Sequence, residues 1–366
     1  MNEHVTEQSK SRNQGFRVGG PTAGLDVGDC GSTVCILDVD GEIAERAKIR
    51  TTVQGVRDYF ERRPPMRVAL EVGTHSPWIS RLLEELGHEV LVANARKLRF
   101  IYENEMKDDG IDAEVLARVA RLDPKLLAPI QHRGAETQSM LAIIRARDSV
   151  VRARTLLINH VRGAVKSFGS RLPKCSAASF FRHAEEIPEE LRPALASMME
   201  LIGQMTLQVK EFDRAIEAAC TEVHPETTPM RGVGGVGPVT SLAYVLTLED
   251  PSRFASARSV GPYIGLAPGR SQSGRADPQQ GITKTGDPYL RRLLIGSANY
   301  LLGPFGPDTD LRRWGLRLAA RGGKNAKKRA TVAVARKLSV LLYRLWASGE
   351  PYEPLRQAKR EAAATR

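Results

Sequence analysis

Eight apolar residues, Leu195, Met199, Ile202, Met205, Val209, Phe212, Ile216 and Ala219, recur at spacings of 4, 3, 3, 4, 3, 4 and 3. That spacing commits the segment to one long helix with a stripe made for a partner helix. Upstream, from Ala135 to Phe168, Ile143, Val150, Leu157 and Ala164 recur every seven residues on a second long helix. The two are expected to pair as an antiparallel hairpin. A spacer or a dimerisation stalk would account for the seam equally well. However, Arg133 to Arg171 holds eight basic and two acidic residues, more than a spacer requires. The basic faces, Arg154 and Arg162 among them, are therefore expected to meet RNA or DNA.

The hairpin separates two differently patterned regions. Before it, Ala23 to Val27 and Thr33 to Asp38 are strand-like runs broken by Gly28 and Gly31, and Asp40-Gly41 reads as a hairpin turn. A helix is expected over Val53 to Phe60, a buried strand over Arg67 to Glu71, a helix over Pro77 to Leu86 and a strand over Glu89 to Ala93. A β-meander followed by alternating strands and helices predicts an α/β domain with a mixed sheet. After the hairpin, Pro225 and Pro229 mark a boundary near residue 228. A glycine stretch then leads into a helix from Val239, with further helices expected over Pro288 to Leu301 and Thr331 to Trp346.

Charge divides the chain in the same place. The 366 residues carry a net charge of +12, and from Pro229 onward 23 Lys and Arg face 9 Asp and Glu, so the last third alone contributes +14. That region is the first candidate for contact with polyphosphate. No apolar run reaches the ~18 residues of a membrane span, and the polar leader is unlike a signal sequence, so no membrane association and a cytoplasmic location are expected. Four scattered cysteines and seven histidines offer no zinc or disulfide framework.

Three constellations could carry chemistry. Asp26 and Glu71 each end an apolar run, and Asp109 and Asp112 stand three apart at the start of an amphipathic helix. Four carboxylates converging from two strands and a helix would suit a hard cation such as Mg²⁺ or Mn²⁺ at a phosphodiester. Taken singly, each acid reads as structural, Asp109 and Asp112 complementing a helix first turn and Asp26 capping a turn. In the second constellation, Gly234, Gly235 and Gly237 precede Pro238 and Thr240. No strand leads into them, so backbone amides binding one nucleic-acid phosphate fit better than a dinucleotide fold. The third is Arg270 to Arg275, with Ser273 at its centre, followed by Lys284 and Arg291. There Ser273 is either a nucleophile between guanidiniums or only a hydrogen-bond donor in a phosphate loop.

Together these residues resemble the IS110 family of DEDD insertion-sequence transposases, the bridge-RNA-guided recombinases. The resemblance runs from about Thr22 to Pro354. It rests on Gly24-Leu25-Asp26-Val27, Leu70-Glu71, Lys107-x-Asp109-x-x-Asp112-Ala113, Arg154-Thr155 with Asn159, Gly234 through Thr240, Ser273-Gly274, and Lys284-x-Gly286-x-x-x-Leu290-Arg291. Val72-Gly73-Thr74-His75 after Glu71, the extra Asp108 and Thr283 depart from the usual pattern.

A polar, disordered leader is expected over 1–20, and the resemblance implies a RuvC-like (RNase H-like) domain over 21–130 and a coiled-coil region over 131–228. A mainly helical transposase domain with a helix-hairpin-helix-like element would occupy 229–350, and a basic tail 351–366. It implies that Asp26, Glu71, Asp109 and Asp112 bind Mg²⁺ and that Ser273 attacks DNA to form a 5′-phosphoserine intermediate. It further implies that an element-encoded noncoding guide RNA pairs with donor and target DNA while the protein forms a homo-oligomer, dimer or tetramer. Two rival readings are a RuvC/RNase H-type nuclease that uses water, and a nucleic-acid-binding protein without activity.

Overall fold

The structure, a computed structural model, describes residues 20–94, 109–270 and 280–357. The chain divides into two compact units, one ending at Arg133 and the other beginning at Gly134. Among the described residues no helix is long and apolar enough to cross a membrane.

The first unit is built on a sheet of β1 (Thr22–Val27), β2 (Gly31–Leu37), β3 (Ile43–Arg50), β4 (Arg67–Glu71) and β5 (Glu89–Ala93), in the order β3-β2-β1-β4-β5. The meander β1-β2-β3 is antiparallel, whereas β4 runs parallel to β1 and β5 parallel to β4. Successive side chains on a strand face opposite ways, so each strand serves two layers. Ala23, Leu25, Val68 and Leu70 pack against α1 (Val53–Phe60) and α2 (Ser76–Glu85) through Phe60, Ile79 and Leu83. Residues of the opposite parity, Cys35, Leu37, Ala69 and Ala93, pack against α3 (Asp109–Leu122) through Ala113, Leu116, Ala117 and Ala120. Strand β3 carries Glu45, Arg46, Lys48 and Arg50 on a largely exposed edge, which is why it has no apolar signature.

Gly24 sets the spacing of the second layer. A Cβ there would lie 1.9 Å from the carbonyl oxygen of Ala113 and 2.7 Å from the amide of Ala117, so α3 rests directly on the β1 backbone. Any side chain at residue 24 would push the helix away.

The second unit is helical. α4 (Ala135–Ser167) and α5 (Arg192–Ala218) run antiparallel. Ile158, Val161 and Val165 share a core with Leu195, Met199 and Ile202, while Leu141 and Ile144 at the other end share one with Ile216 and Ala219. The buried seam lies one residue beyond the expected α4 stripe: Ile144, Arg154, Ile158, Val161 and Val165 are buried, whereas Ile143, Val150, Leu157 and Ala164 flank them half-exposed. On α5, likewise, Thr206 stands in the seam and Met205 and Phe212 beside it. The reason is that one polar pair, Arg154 with Thr206, occupies the buried seam and a second, part-exposed pair flanks it. Arg147 Nε is 2.5 Å from Asp213 Oδ1, and Arg154 donates from a guanidinium nitrogen to Thr206 Oγ1 at 3.1 Å. An apolar pattern slides to the neighbouring row when the true row contains arginines.

The same hairpin end joins the largest core, centred on α6 (Pro238–Leu248), of which every residue from Thr240 to Leu248 is buried. Around it stand α7 (Pro288–Leu302), α8 (Asp310–Ala319) and α9 (Ala326–Ser348). Tyr244 of α6 is fully enclosed and donates its hydroxyl to the Ser339 carbonyl of α9 at 2.6 Å. Of these helices, α8 is not among those expected from the sequence, and α9 begins at Ala326, before the expected Thr331.

Candidate active site

Asp26 and Glu71 come together through the sheet register. Parallel pairing of Gly24 with Ala69 and Leu25 with Leu70 carries on to set Asp26 beside Glu71 at the ends of adjacent strands, about 5 Å apart by inter-strand spacing. Asp26 shares its strand face with Gly24, and Glu71 shares its face with Ala69, so both acids stand on the side covered by α3. Helix α3 runs opposite to β1: Arg121 near its end bonds the Gly20 carbonyl, and Ala113 lies over Gly24. Its first turn, which begins at Asp109 and contains Asp112, therefore lies toward the Asp26 end of the strand. Asp112 is half-buried, and the side chain of Asp109 lies outside the described residues.

Asp26 and Glu71 line an open cleft of about 420 Å³ together with Val27, Asp29, Val72, Gly73, Thr74 and His75. Hard oxygen donors on one sheet face match a divalent cation of the Mg²⁺ class. Among the described residues no three Asp, Glu, His or Cys are close enough to share an ion; Asp109, the fourth expected donor, is not part of that set.

The segment that lines the cleft after Glu71 is held by residues outside the three constellations expected from the sequence. Ser76, at the start of α2, donates to or accepts from His132 Nε2 at 2.8 Å and accepts from the Gly73 amide at 3.0 Å. Burial, and then the nearby Arg81 and Arg133 charges, push the His132 pKa down. His75 accepts from Trp78 Nε1 at 3.1 Å through Nδ1 and meets Asp29 Oδ1 at 3.3 Å through Nε2. A usable signal was available in the sequence: His and Trp three apart at a helix start, immediately after a strand that ends in an acid.

In the second unit the serine-bearing loop has a rigid base. Gly269 donates to Gly281 O at 2.8 Å, Thr283 to Ala267 O at 2.9 Å and Lys284 to Gly265 O at 3.2 Å, forming a short antiparallel stem. A Cβ on Gly265 would meet Thr285 O at 2.1 Å, and one on Gly286 would meet Tyr263 O at the same distance; both glycines also have positive φ. The two backbones cross too closely for any other residue. Lys284, exposed, adopts a left-handed φ of 56° within this crossing. Arg291 donates to both Ile264 O and Thr285 O at 2.8 Å and so ties α7 to the stem. Exposed Arg270 lies at the end of the stem, whereas Ser273 and Arg275 lie outside the described residues.

The remaining expected residues fall in three settings. Gly234 and Gly235 pack tightly against Pro307 and Tyr300, while exposed Gly237 opens onto free space before α6 with no side-chain cap on its amides. Thr240 is buried. Arg154 and Arg162, expected on basic outer faces, are turned inward instead. Arg154 is 8% exposed in the seam with its Nε lacking a hydrogen-bond partner among the described residues, and Arg162 holds the carbonyls of Leu172 and Pro173 and lies over the Phe180 ring.

Two family models match this chain. One for DEDD transposases, described as "Transposase", covers residues 23–169, and one described as "Transposase IS116/IS110/IS902 family" covers residues 229–307. A "Probable family 20 transposase" of Pseudomonas aeruginosa is 30% identical over 310 residues, spanning 82% of this chain and 89% of that protein. The "Transposase for insertion sequence element IS1111A" of Coxiella burnetii is 29% identical over 69% of this chain and 70% of its own length. The corresponding protein for IS1328 of Yersinia enterocolitica is 29% identical over 64% and 70%.

Proposed function

Since the chain belongs to the IS110 family of insertion-sequence transposases and is a DNA transposase, we propose that it cuts and rejoins DNA with two groups of residues, the acids of the first unit and Ser273 of the second. The observation that carries this reading is the convergence of Asp26 and Glu71 with the first turn of α3 on one sheet face. The strand order β3-β2-β1-β4-β5, with one antiparallel meander and two parallel additions, supports a RuvC-like domain.

In the proposed reaction the Ser273 hydroxyl oxygen bonds to the scissile phosphorus, the bond from phosphorus to the 3′ oxygen breaks, and that oxygen leaves as a hydroxyl bearing the proton that serine gave up. The 5′ phosphate stays on serine until a second 3′ hydroxyl attacks and restores a phosphodiester. Asp26, Glu71, Asp109 and Asp112 would hold Mg²⁺ or Mn²⁺, which when bound supplies charge stabilisation at the pentavalent phosphorus. Asp26 and Glu71, fixed on adjacent strands, would orient this end of the site. The paired arms 265–269 and 281–285 form the base of the segment that carries Ser273.

Nucleic-acid contact is assigned to the last third of the chain. Between Asp310 and Glu350 stand eleven basic residues and no acidic one. Arg317, Arg321, Lys324, Lys327, Lys328 and Arg329 are all exposed there, none in an ion pair among the described residues. Such a surface suits a phosphate backbone rather than base edges, with donor and target DNA and an element-encoded guide RNA as its partners. Arg270, Lys284 and the helix start after Gly237 would add contacts near the reacting strand.

The test is strand cleavage in Mg²⁺ of a plasmid carrying the element's ends, with RNA transcribed from them. Asp26→Asn and Glu71→Gln are each expected to lower the rate roughly a hundredfold or more while DNA binding persists. Undiminished cleavage in both would overturn the acid site.

A further inference from the structure

The acid cleft has a wall that is not acidic. Its lining includes three carboxylates, Asp26, Asp29 and Glu71, all of which repel a phosphodiester. Apart from the Thr74 hydroxyl, His75 is the lining side chain able to donate a hydrogen bond.

The orientation of His75 is fixed from behind. The indole N–H of Trp78 can only donate, and it points at His75 Nδ1 from 3.1 Å, with the two rings perpendicular at 90°. Nδ1 must therefore carry no proton, and the neutral ring keeps its proton on Nε2. That nitrogen faces Asp29 Oδ1 at 3.3 Å, at the long end of the hydrogen-bond range. The Asp29 carboxylate is 95% exposed and meets, besides His75, only the adjacent Cys30 thiol at 4.0 Å among the described residues, whereas the His75 side chain is only 30% exposed. The donor is thus built in and its acceptor is loose.

We propose that His75 Nε2–H donates to a non-bridging oxygen of the scissile phosphate, which displaces Asp29, and that Trp78 is the positioning residue that holds the ring in this tautomer. A neutral donor has a particular use here. It engages the phosphate without adding a cation that would compete with a metal for the same carboxylates, and its hydrogen bond strengthens as charge builds on the phosphate oxygens. His75 also stands at the start of α2, where unpaired amides favour an anion nearby. This inference rests on the assignment of the cleft as the cleavage site.

The experiment uses the full-length protein with Mg²⁺, the plasmid bearing the element's ends and RNA transcribed from them, and compares single-turnover cleavage at saturating DNA with DNA affinity and thermal midpoint. His75→Ala is expected to lose roughly 30- to 100-fold in rate with affinity within about threefold. His75→Gln, which keeps an N–H donor, should retain most of the rate. Trp78→Phe should lose several-fold by freeing the ring. Two results would overturn the proposal while Asp26→Asn remains inactive. One is a His75→Ala rate within about twofold of the unmodified protein; the other is equal loss in His75→Ala and His75→Gln with a lowered midpoint, which would make His75 a structural tie. If Asp26→Asn also cleaves at the full rate, the cleft itself is misassigned and the donor role falls with it.

Discussion

The two compact units carry opposite charge in opposite architectures. Through Arg133 the chain has 19 basic and 21 acidic residues, a net of −2, and the rest has 35 and 21, a net of +14. The first unit is a sheet between helical layers, in which strand alternation sorts acids onto one face. The second is helical, with basic residues spread over exposed turns and helix faces. The contrast separates two tasks that conflict electrostatically. Carboxylates gathered closely enough to hold a cation repel a polyanion, so the attraction for DNA has to come from elsewhere.

The largest effect should come from breaking the packing between layers in the first unit. Gly24→Val places a branched side chain where even a Cβ would sit 1.9 Å from Ala113 O. A stability loss of about 3 kcal/mol or more is expected in denaturant unfolding, together with loss of cleavage. A variant as stable as the original would mean that α3 does not rest on β1.

Next in size is the basic turn of the second unit. Replacing Lys327, Lys328 and Arg329 with alanine should weaken DNA and RNA binding. The slope of log K against log salt should become shallower by about 0.9 for every duplex phosphate that the variant no longer neutralises. An unchanged slope would remove this turn from the interface and leave the charge contrast without its function there.

A pH effect should be confined to the first unit. Buried His88 accepts from the Met66 amide through Nδ1 and meets Phe60 O through Nε2, a pattern only the neutral ring can satisfy. Burial pushes its pKa down. Because the folded pKa lies below the unfolded one, the stabilisation is present above pH ~6.5 and is lost as pH falls through the folded value. Unfolding midpoints of the first unit at pH 7.5 and 5.5 should therefore differ, and the difference should shrink in His88→Gln.

The smallest effect belongs to the seam of the second unit. Arg154→Met removes a buried guanidinium whose Nε has no hydrogen-bond partner, so stability should change by less than about 1 kcal/mol or rise. A large loss would show that the Arg154 bond to Thr206 is essential to the hairpin.

The two units also differ in how much of them is legible in the sequence. Elements with short-range signals are plain: Val53–Phe60 is a helix and Arg67–Glu71 a strand at the expected residues, and the antiparallel pairing of α4 with α5 follows from two apolar stripes. Edge strand β3 is silent because its exposed faces carry charge. The seam register slips by one residue because Arg154 and Thr206 occupy buried positions, flanked by the part-exposed Arg147–Asp213 pair, where apolar periodicity cannot see them. In the first unit Asp26 and Glu71 are legible as acids ending apolar runs. The role of His75 in the cleft wall depends on its bond to Trp78, a pairing that spacing suggests but only the structure orients.

The central claim, that acids from one unit and a serine from the other act on the same phosphodiester, is tested most directly by trapping the intermediate. Protein, element-derived RNA, Mg²⁺ and donor and target DNA would be incubated and run on a denaturing gel for a covalent protein–DNA adduct in the original chain, Ser273→Ala and Asp26→Asn. An adduct is expected in the original chain and in neither variant. Cleavage with no adduct, unchanged in Ser273→Ala and abolished in Asp26→Asn, would contradict it and leave a water-dependent nuclease.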